Sequence, residues 1–268
     1  MKRRNFISAL IALAIIPAAC SCAGNGRKEK AEVKHPGCPY PIEVFDTPNG
    51  SVEIYCINHG SVAISFKADI AKDSRTILID PVGEYKGTTV DYSSVPKGDI
   101  ILVTHEHVDH LDASTIEARS AKNAVLILNQ SSYDQIGKGE VMHNGDSRSL
   151  SSAITLEAVP AYNSTAKNKQ FHPKGNGNGY ILKIDGLKVY VAGDTEPYTG
   201  MKKFGNIDVA LLPVNQPYTM TIDQCVKAAK MIKPGFIIPY HMGDTDLEAL
   251  SNALTAKGFR HVMHEELK

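Results

Sequence analysis

The chain carries no surplus of charge of either sign: 29 Lys and Arg stand against 29 Asp and Glu in 268 residues. Proteins that track a phosphate backbone show a basic excess, so nucleic acid is not an expected partner. Cysteine is scarce. Two of the five, Cys20 and Cys22, lie near the N-terminus. Cys38, Cys56 and Cys225 are too far apart for a zinc knuckle and too few for a disulfide framework. Buried free thiols are the expected state of Cys56 and Cys225, with a single Cys38–Cys56 bridge as the alternative. Long apolar runs are missing as well. The stretch from Phe6 to Ala19, broken by Pro17, falls short of the ~20 residues that cross a bilayer. There is no Gly-x-Ser-x-Gly elbow and no Gly-rich phosphate loop ending in Lys-Ser or Lys-Thr. These absences count against serine hydrolases, P-loop NTPases and zinc knuckles, while a plain N-terminal membrane anchor stays open.

What is present begins with a leader. Lys2, Arg3 and Arg4 form a basic start, followed by the apolar Phe6–Ala19 stretch and the small residues Ala18-Ala19 before Cys20 and Cys22. The pattern resembles a lipoprotein signal, in which one of the two cysteines becomes the lipidated N-terminus, and Arg3-Arg4-Asn5-Phe6 also resembles a twin-arginine export signal. Residues 1–22 are read as the leader, and residues 23–40, polar and poor in aromatics, as a flexible tether. Residues 41–268 are then one globular domain. Removing the leader takes away three cations and no acid, which leaves the remainder slightly negative. The expected location is the periplasm or cell envelope, with any membrane contact made through the N-terminal lipid.

Strand signals dominate the first half of the domain. Val52–Ile57 and Val62–Phe66 flank Asn58-His59-Gly60-Ser61, a hairpin turn; Thr76–Asp80 is closed by Pro81, and Ile100–Val103 follows. Helices are expected from Leu111 to Ala121 with Asp112 or Ser114 as cap, from Thr221 to Ile232, and from Asp246 to Lys257. The second half repeats the pattern. Ala153–Val159, Tyr180–Ile184 and Lys188–Ala192 are strands, the last two joined by Asp185-Gly186, followed by Val209–Pro213 and Phe236–Pro239. Two packed sheets with helices outside account for this order.

The chemistry concentrates in His105-Glu106-His107-Val108-Asp109-His110, directly after a β-type run. In extended chain, residues i and i+2 point the same way, so His105 and His107 can reach one metal ion together. Once the chain turns at Val108, Asp109 and His110 can face a second position. Imidazole and carboxylate suit zinc, iron and manganese. Three further candidates sit just past strand ends: Asp194 after Val191-Ala192-Gly193, His241 after Ile238-Pro239-Tyr240, and Asn163 after Val159-Pro160-Ala161-Tyr162.

Together these residues resemble the metallo-β-lactamase fold superfamily of metal-dependent hydrolases, over roughly residues 45 to 265. His105–His110 matches its HxHxDH motif, and Asp194 and His241 match its later single ligands. The branch most similar contains ascorbate-6-phosphate lactonase. The resemblance implies an α+β fold, a four-layer αββα sandwich of two mixed sheets with helices on the outer faces. It also implies one or two divalent ions, zinc first and manganese as the alternative. His105 and His107 would hold one ion; Asp109, His110 and His241 would hold the other, and Asp194 would bridge them. The family's third histidine for the first ion falls at Asn163. Three outcomes follow: Asn163 binds, His172 substitutes, or the first ion is weakly held. Asp109 and Asp194 are the expected catalytic carboxylates, acting on water activated by the metal. His172, Lys174 and Tyr198 are expected at a small-molecule substrate, one with an anionic group. The implied reaction is hydrolysis of a lactone, phosphodiester or related ester. A non-catalytic metal-containing binding protein of the same fold is the rival reading, and a second copy of the chain is an open partner.

Overall fold

The computed structural model describes residues 29–30 and 37–268. The leader lies outside the described residues, as does most of the tether. Within the tether, Glu29 and Lys30 form a two-residue strand paired antiparallel with Phe45 and Val44. Among the described residues no helix is long and apolar enough to cross a membrane.

The domain contains two mixed sheets. The first has eight strands, in spatial order Glu29–Lys30, Ile42–Thr47, Gly50–Asn58, Ser61–Ala68, Arg75–Ile79, Gly98–Leu102, Ser120–Leu128 and Glu140–Val141. The second has six: Ser147–Ser149, Ile154–Ala161, Gly177–Ile184, Leu187–Val191, Val209–Pro213 and Phe236–Tyr240. In each sheet the antiparallel part gives way to parallel strands, Arg75–Ile79 with Gly98–Leu102 in the first and Leu187–Val191 with Val209–Pro213 in the second.

Alternation along the strands builds the layers. In Gly50–Asn58, Val52, Ile54 and Cys56 face one apolar cluster while Tyr55 and Ile57 face another. The first cluster joins the facing sides of both sheets, through residues such as Ile64, Leu102, Leu156 and Leu182. It continues beneath the helices Ile222–Ile232 and Leu247–Thr255 through Cys225, Ala229, Leu250 and Leu254. The second cluster holds Leu78, Ile101 and Val103 against Ile116 of the helix Ala113–Arg119 and Ile136 of Gln130–Ile136. The order is therefore helices, sheet, sheet, helices, as expected.

Helix starts follow their caps. Asp112 accepts from the N–H groups of Ser114 and Thr115. Thr221 and Gln224 form a reciprocal capping box, and Asp246 accepts from Ala249, each satisfying amides that have no intrahelical partner. Cys38, Cys56 and Cys225 are all free thiols, and the last two are buried. The sequence pattern did not reveal the strand Ile42–Thr47, the helix Gln130–Ile136, or the small hairpin of Glu84–Tyr85 with Thr88–Thr89. The hairpin is too short and polar to carry a periodic signal.

Candidate metal centre

Ligands in open α/β sheets gather outside the C-terminal ends of the strands, and this domain follows that rule in both sheets. Gly98–Leu102 runs into His105, Leu187–Val191 into Asp194, Phe236–Tyr240 into His241, and Arg75–Ile79 into Asp80. The two sheets are tied at this edge. Tyr180 donates its hydroxyl to the carbonyl of Val103 at 2.7 Å, and the amide of Asn178 donates to Thr104 at 2.9 Å. Gly193, at φ +62°, lets Asp194 approach, because a side chain there would meet the Asn178 carbonyl at 2.8 Å.

The side chains converge in three trios, two of which share His105, and within each trio the ligand atoms lie within 4.8 Å of one another. They are His105, His107 and His172; His105, His110 and Asp194; and His59, Asp109 and His241. Shorter links join them. His172 Nε2 is 3.2 Å from Asp194 Oδ2 and 3.3 Å from His107 Nδ1. His241 Nε2 is 3.4 Å from both Asp109 and Asp194, and His110 Nε2 is 3.5 Å from Asp194 Oδ1.

A second ring of acceptors fixes how these imidazoles point. Asp80, fully buried, receives the Thr104 amide and hydroxyl at 2.7 Å each and His110 Nδ1 at 2.8 Å. With its proton directed to Asp80, the Thr104 hydroxyl accepts from His105 Nδ1 at 2.9 Å. His172 Nδ1 donates to the Tyr218 carbonyl at 3.0 Å, and His59 Nδ1 to the Lys268 main-chain oxygen at 2.7 Å. Each of these rings thus spends one nitrogen on the protein and turns the other, with its lone pair, to the centre, the arrangement typical of metal-binding histidines.

The donor set can be tested for fit to a cation. His105 Nε2, His110 Nε2, His241 Nε2 and Asp194 Oδ1 are buried and have no hydrogen-bond partner. An unmet buried polar group costs about 1–3 kcal/mol, so four in one place demand a common occupant. Nitrogen lone pairs with two carboxylates match a divalent transition ion. The electrostatics agree. Burial pushes His105 and His107 below the ordinary imidazole range, which favours the neutral form. Burial alone would raise Asp109, yet the imidazoles of His241 and His59 beside it, with His110, hold it far below the carboxylate range. Burial opposes ionisation of Asp194 too, and the surrounding histidines His241, His110 and His172 outweigh it. His110 is the exception to the lone-pair pattern: burial opposes its charge, but the carboxylates of Asp194 and Asp80 raise it to about 10, so without an ion its Nε2 carries a proton that a bound cation must displace.

The expected histidines and carboxylates therefore assemble, while Lys174 and Tyr198 stand apart from them. His172, expected at the substrate or as a substitute ligand, completes the trio with His105 and His107. Asn163 sits behind it: its amide nitrogen donates to the carbonyls of Tyr218 at 2.7 Å and Asn168 at 3.1 Å and lies beside His172 Nδ1, the outward nitrogen. An amide so placed buttresses a ligand through its nitrogen, while its oxygen is buried without a hydrogen-bond partner. Lys174 lies in a separate shallow cleft with Tyr162 and Asn163. Tyr198 is buried against Tyr162 and Phe204 and donates to the Pro160 carbonyl.

Two contributors had gone unrecognised. In the sequence His59 carries only a turn signal, although histidine is not among the usual turn formers. Asp80 ends a strand just as Asp194 does, and that pattern could have exposed it. Gly60 follows from the same packing, since a Cβ there would lie 2.8 Å from the His110 ring.

The centre opens into a cleft of about 740 Å³. His107, Asp109, His172, Asp194 and His241 form its floor, and Tyr85, Lys86, Val108, Phe171 and Tyr218 its walls.

Residues 54–241 match the Beta-lactamase superfamily domain. A UPF0173 metal-dependent hydrolase of Pyrococcus furiosus is 36% identical over 181 residues, which span 63% of this chain and 77% of that protein. A crystal structure of an assigned metal-dependent hydrolase from Parabacteroides distasonis superposes with a TM-score of 0.78 at 44% identity, covering 85% of this chain and all of that one. The metallo-β-lactamase-fold protein YhfI of Bacillus subtilis, 14% identical, covers 85% of this chain and 98% of its own, with a TM-score of 0.60. The chain belongs to the beta-lactamase superfamily and is a metal-dependent hydrolase of metallo-β-lactamase fold.

Proposed function

We propose that this hydrolase acts at the cell envelope on a small ester, either a lactone or a phosphodiester, with an anionic group and an apolar portion. The observation that carries the reading is the set of four unpartnered buried atoms on His105, His110, His241 and Asp194, the last two lining an open cleft and the first two beneath it. His105, His107 and His172 would hold one divalent ion. Asp109, His110 and His241 would hold a second, with Asp194 between them. When bound, such ions lower the pKa of water and polarise a carbonyl or phosphoryl oxygen.

The chain's own groups supply the rest. Asp109 and Asp194 are kept ionised by the histidines around them, so they accept hydrogen bonds and orient an attacking water; carboxylates this acidic are poor stores for its proton. Asp109, with 29% of its side chain exposed, lines the cleft more openly than Asp194, at 3%. Burial raises the Tyr85 phenol, which therefore stays protonated and serves as a donor to a substrate oxygen. Val108, 88% exposed, and Tyr218, 47% exposed, offer apolar surface to the remainder of the substrate. Among the described residues, Lys86 is the one Lys or Arg lining the cleft, and it takes the anion-binding role expected of Lys174. The basic leader and the Cys20 and Cys22 sites support delivery to the envelope, where zinc or manganese is the resident ion.

The test is turnover of a panel of lactones and phosphodiesters by the native protein, by protein stripped of metal, and by His107→Ala. Activity is expected only in the native and reconstituted forms, with a loss of at least about 10³-fold in His107→Ala. Turnover that survives metal removal sinks the mechanism. A protein that binds these esters but hydrolyses none at any metal loading is the binding protein of the rival reading.

A further inference from the structure

The third trio contains a residue outside the HxHxDH pattern. His59 forms the two-residue turn between the strands Gly50–Asn58 and Ser61–Ala68, with φ +46°. Its placement is fixed on three sides. Its amide donates to Glu266 at 3.0 Å, its carbonyl accepts the His241 amide at 3.0 Å, and its Nδ1 donates to the Lys268 main-chain oxygen at 2.7 Å. The last bond settles the tautomer: Nε2 carries the lone pair. That atom lies 3.5 Å from Asp109 Oδ2, and the ring packs on His241 with centroids 3.8 Å apart. His59 is only 2% exposed. It has the same construction as His172: one nitrogen tied to a main-chain oxygen, the other aimed at a carboxylate of the centre.

We infer that His59 is a direct ligand of the second metal position, completing a two-histidine, one-carboxylate set with His241 and Asp109. This rests on the reading of the site as a metal centre. His110, tied to Asp80 and turned toward Asp194 Oδ1, then belongs to the junction between the two positions. The inference also gives Tyr85 a conditional role. Its hydroxyl donates to His59 Nε2 at 3.0 Å, and its ring stacks on His59 at 4.0 Å. An ion and the Tyr85 proton compete for the same lone pair. Loading the second position therefore releases the Tyr85 hydroxyl toward the cleft that it lines.

The test uses the full chain stripped of metal and titrated with Zn²⁺, with metal content read by elemental analysis, and with Co²⁺ absorption as a second readout. His59→Asn is the informative variant. Asparagine tolerates positive φ, and its amide nitrogen can replace Nδ1 as donor to Lys268 while nothing replaces Nε2. Wild type is expected to take up two equivalents; His59→Asn should keep the first and bind the second at least about tenfold more weakly, with a changed Co²⁺ spectrum. Tyr85→Phe should bind the second equivalent more tightly than wild type, because the competing proton is gone. Unchanged second-site affinity in His59→Asn overturns the inference while leaving the metal centre intact. Wild type that takes up fewer than two equivalents overturns both. If His59→Asn fails to fold, Tyr85→Phe decides: equal or weaker second-site binding counts against His59.

Discussion

His105 and His110 are sunk beneath the cleft against a network that ends on Asp80, whereas Asp109, His59 and His241 line it beside Tyr85. On the sunken side every ring orientation traces back, through Thr104 or directly, to one carboxylate with no solvent contact. On the open side the supports are main-chain oxygens and a phenol on a small surface hairpin. The difference separates stability from chemistry. A carboxylate at the centre of a buried network cannot be altered without harm to the fold, while a wall built from separate loops can tune ion and substrate.

Substitution of the hub is the hardest blow to that comparison. Asp80→Ala strands the Thr104 amide, the Thr104 hydroxyl and His110 Nδ1 in the interior, and breaking such a network costs about 3–5 kcal/mol. Urea unfolding of the metal-free variant should show that loss, with ion binding falling alongside it. A stability near wild type would mean that water or a neighbour replaces the carboxylate and that the sunken side is no scaffold.

Acid titration of the metal-free protein tests the open side more gently. Burial lowers His59 to about 4, whereas the unfolded residue titrates near 6.5. Between those values the unfolded chain binds more protons, so stability falls as pH drops from about 6.5 to 4. His105, also lowered by burial, acts in the same direction. His110 has the opposite sign: its contribution is complete below about 6.5 and is lost as pH rises through about 10. Stability at pH 5 should be lower than at pH 7 by on the order of 2 kcal/mol, and His59→Asn should flatten the acid slope. An acid slope identical in the variant would show that His59 does not titrate as its burial requires.

Much of this was legible in the sequence because strand ends announce themselves. Alternating apolar runs closed by Pro, Gly-Asp or Pro-Tyr-His located Asp194 and His241, and the i, i+2 spacing of His105 and His107 implied a shared ion. Capping residues Asp112, Thr221 and Asp246 placed three helices within a residue or two. What escaped depended on long-range placement. His59 lies in a turn whose function emerges only when the Glu265–Leu267 segment packs against it, more than 200 positions away. Spacing does not decide between His172 and Asn163, because an eight-residue loop separates them and its path is set by hydrogen bonds from Asn163 and to Glu196. Glu196 accepts the Thr165 amide and hydroxyl and the Asn168 amide, folding that loop back toward the centre.

The central claim is that two ion positions exist and that His172, not Asn163, completes the first. Anomalous diffraction at the zinc edge from crystals of the metal-loaded protein tests it most directly. The account predicts two peaks, the first at about 2.0–2.1 Å from nitrogens of His105, His107 and His172, and the second bonded to Asp109 and His241. A first peak bonded to the Asn163 oxygen with His172 turned away, or no peak at the floor of the cleft, would contradict it.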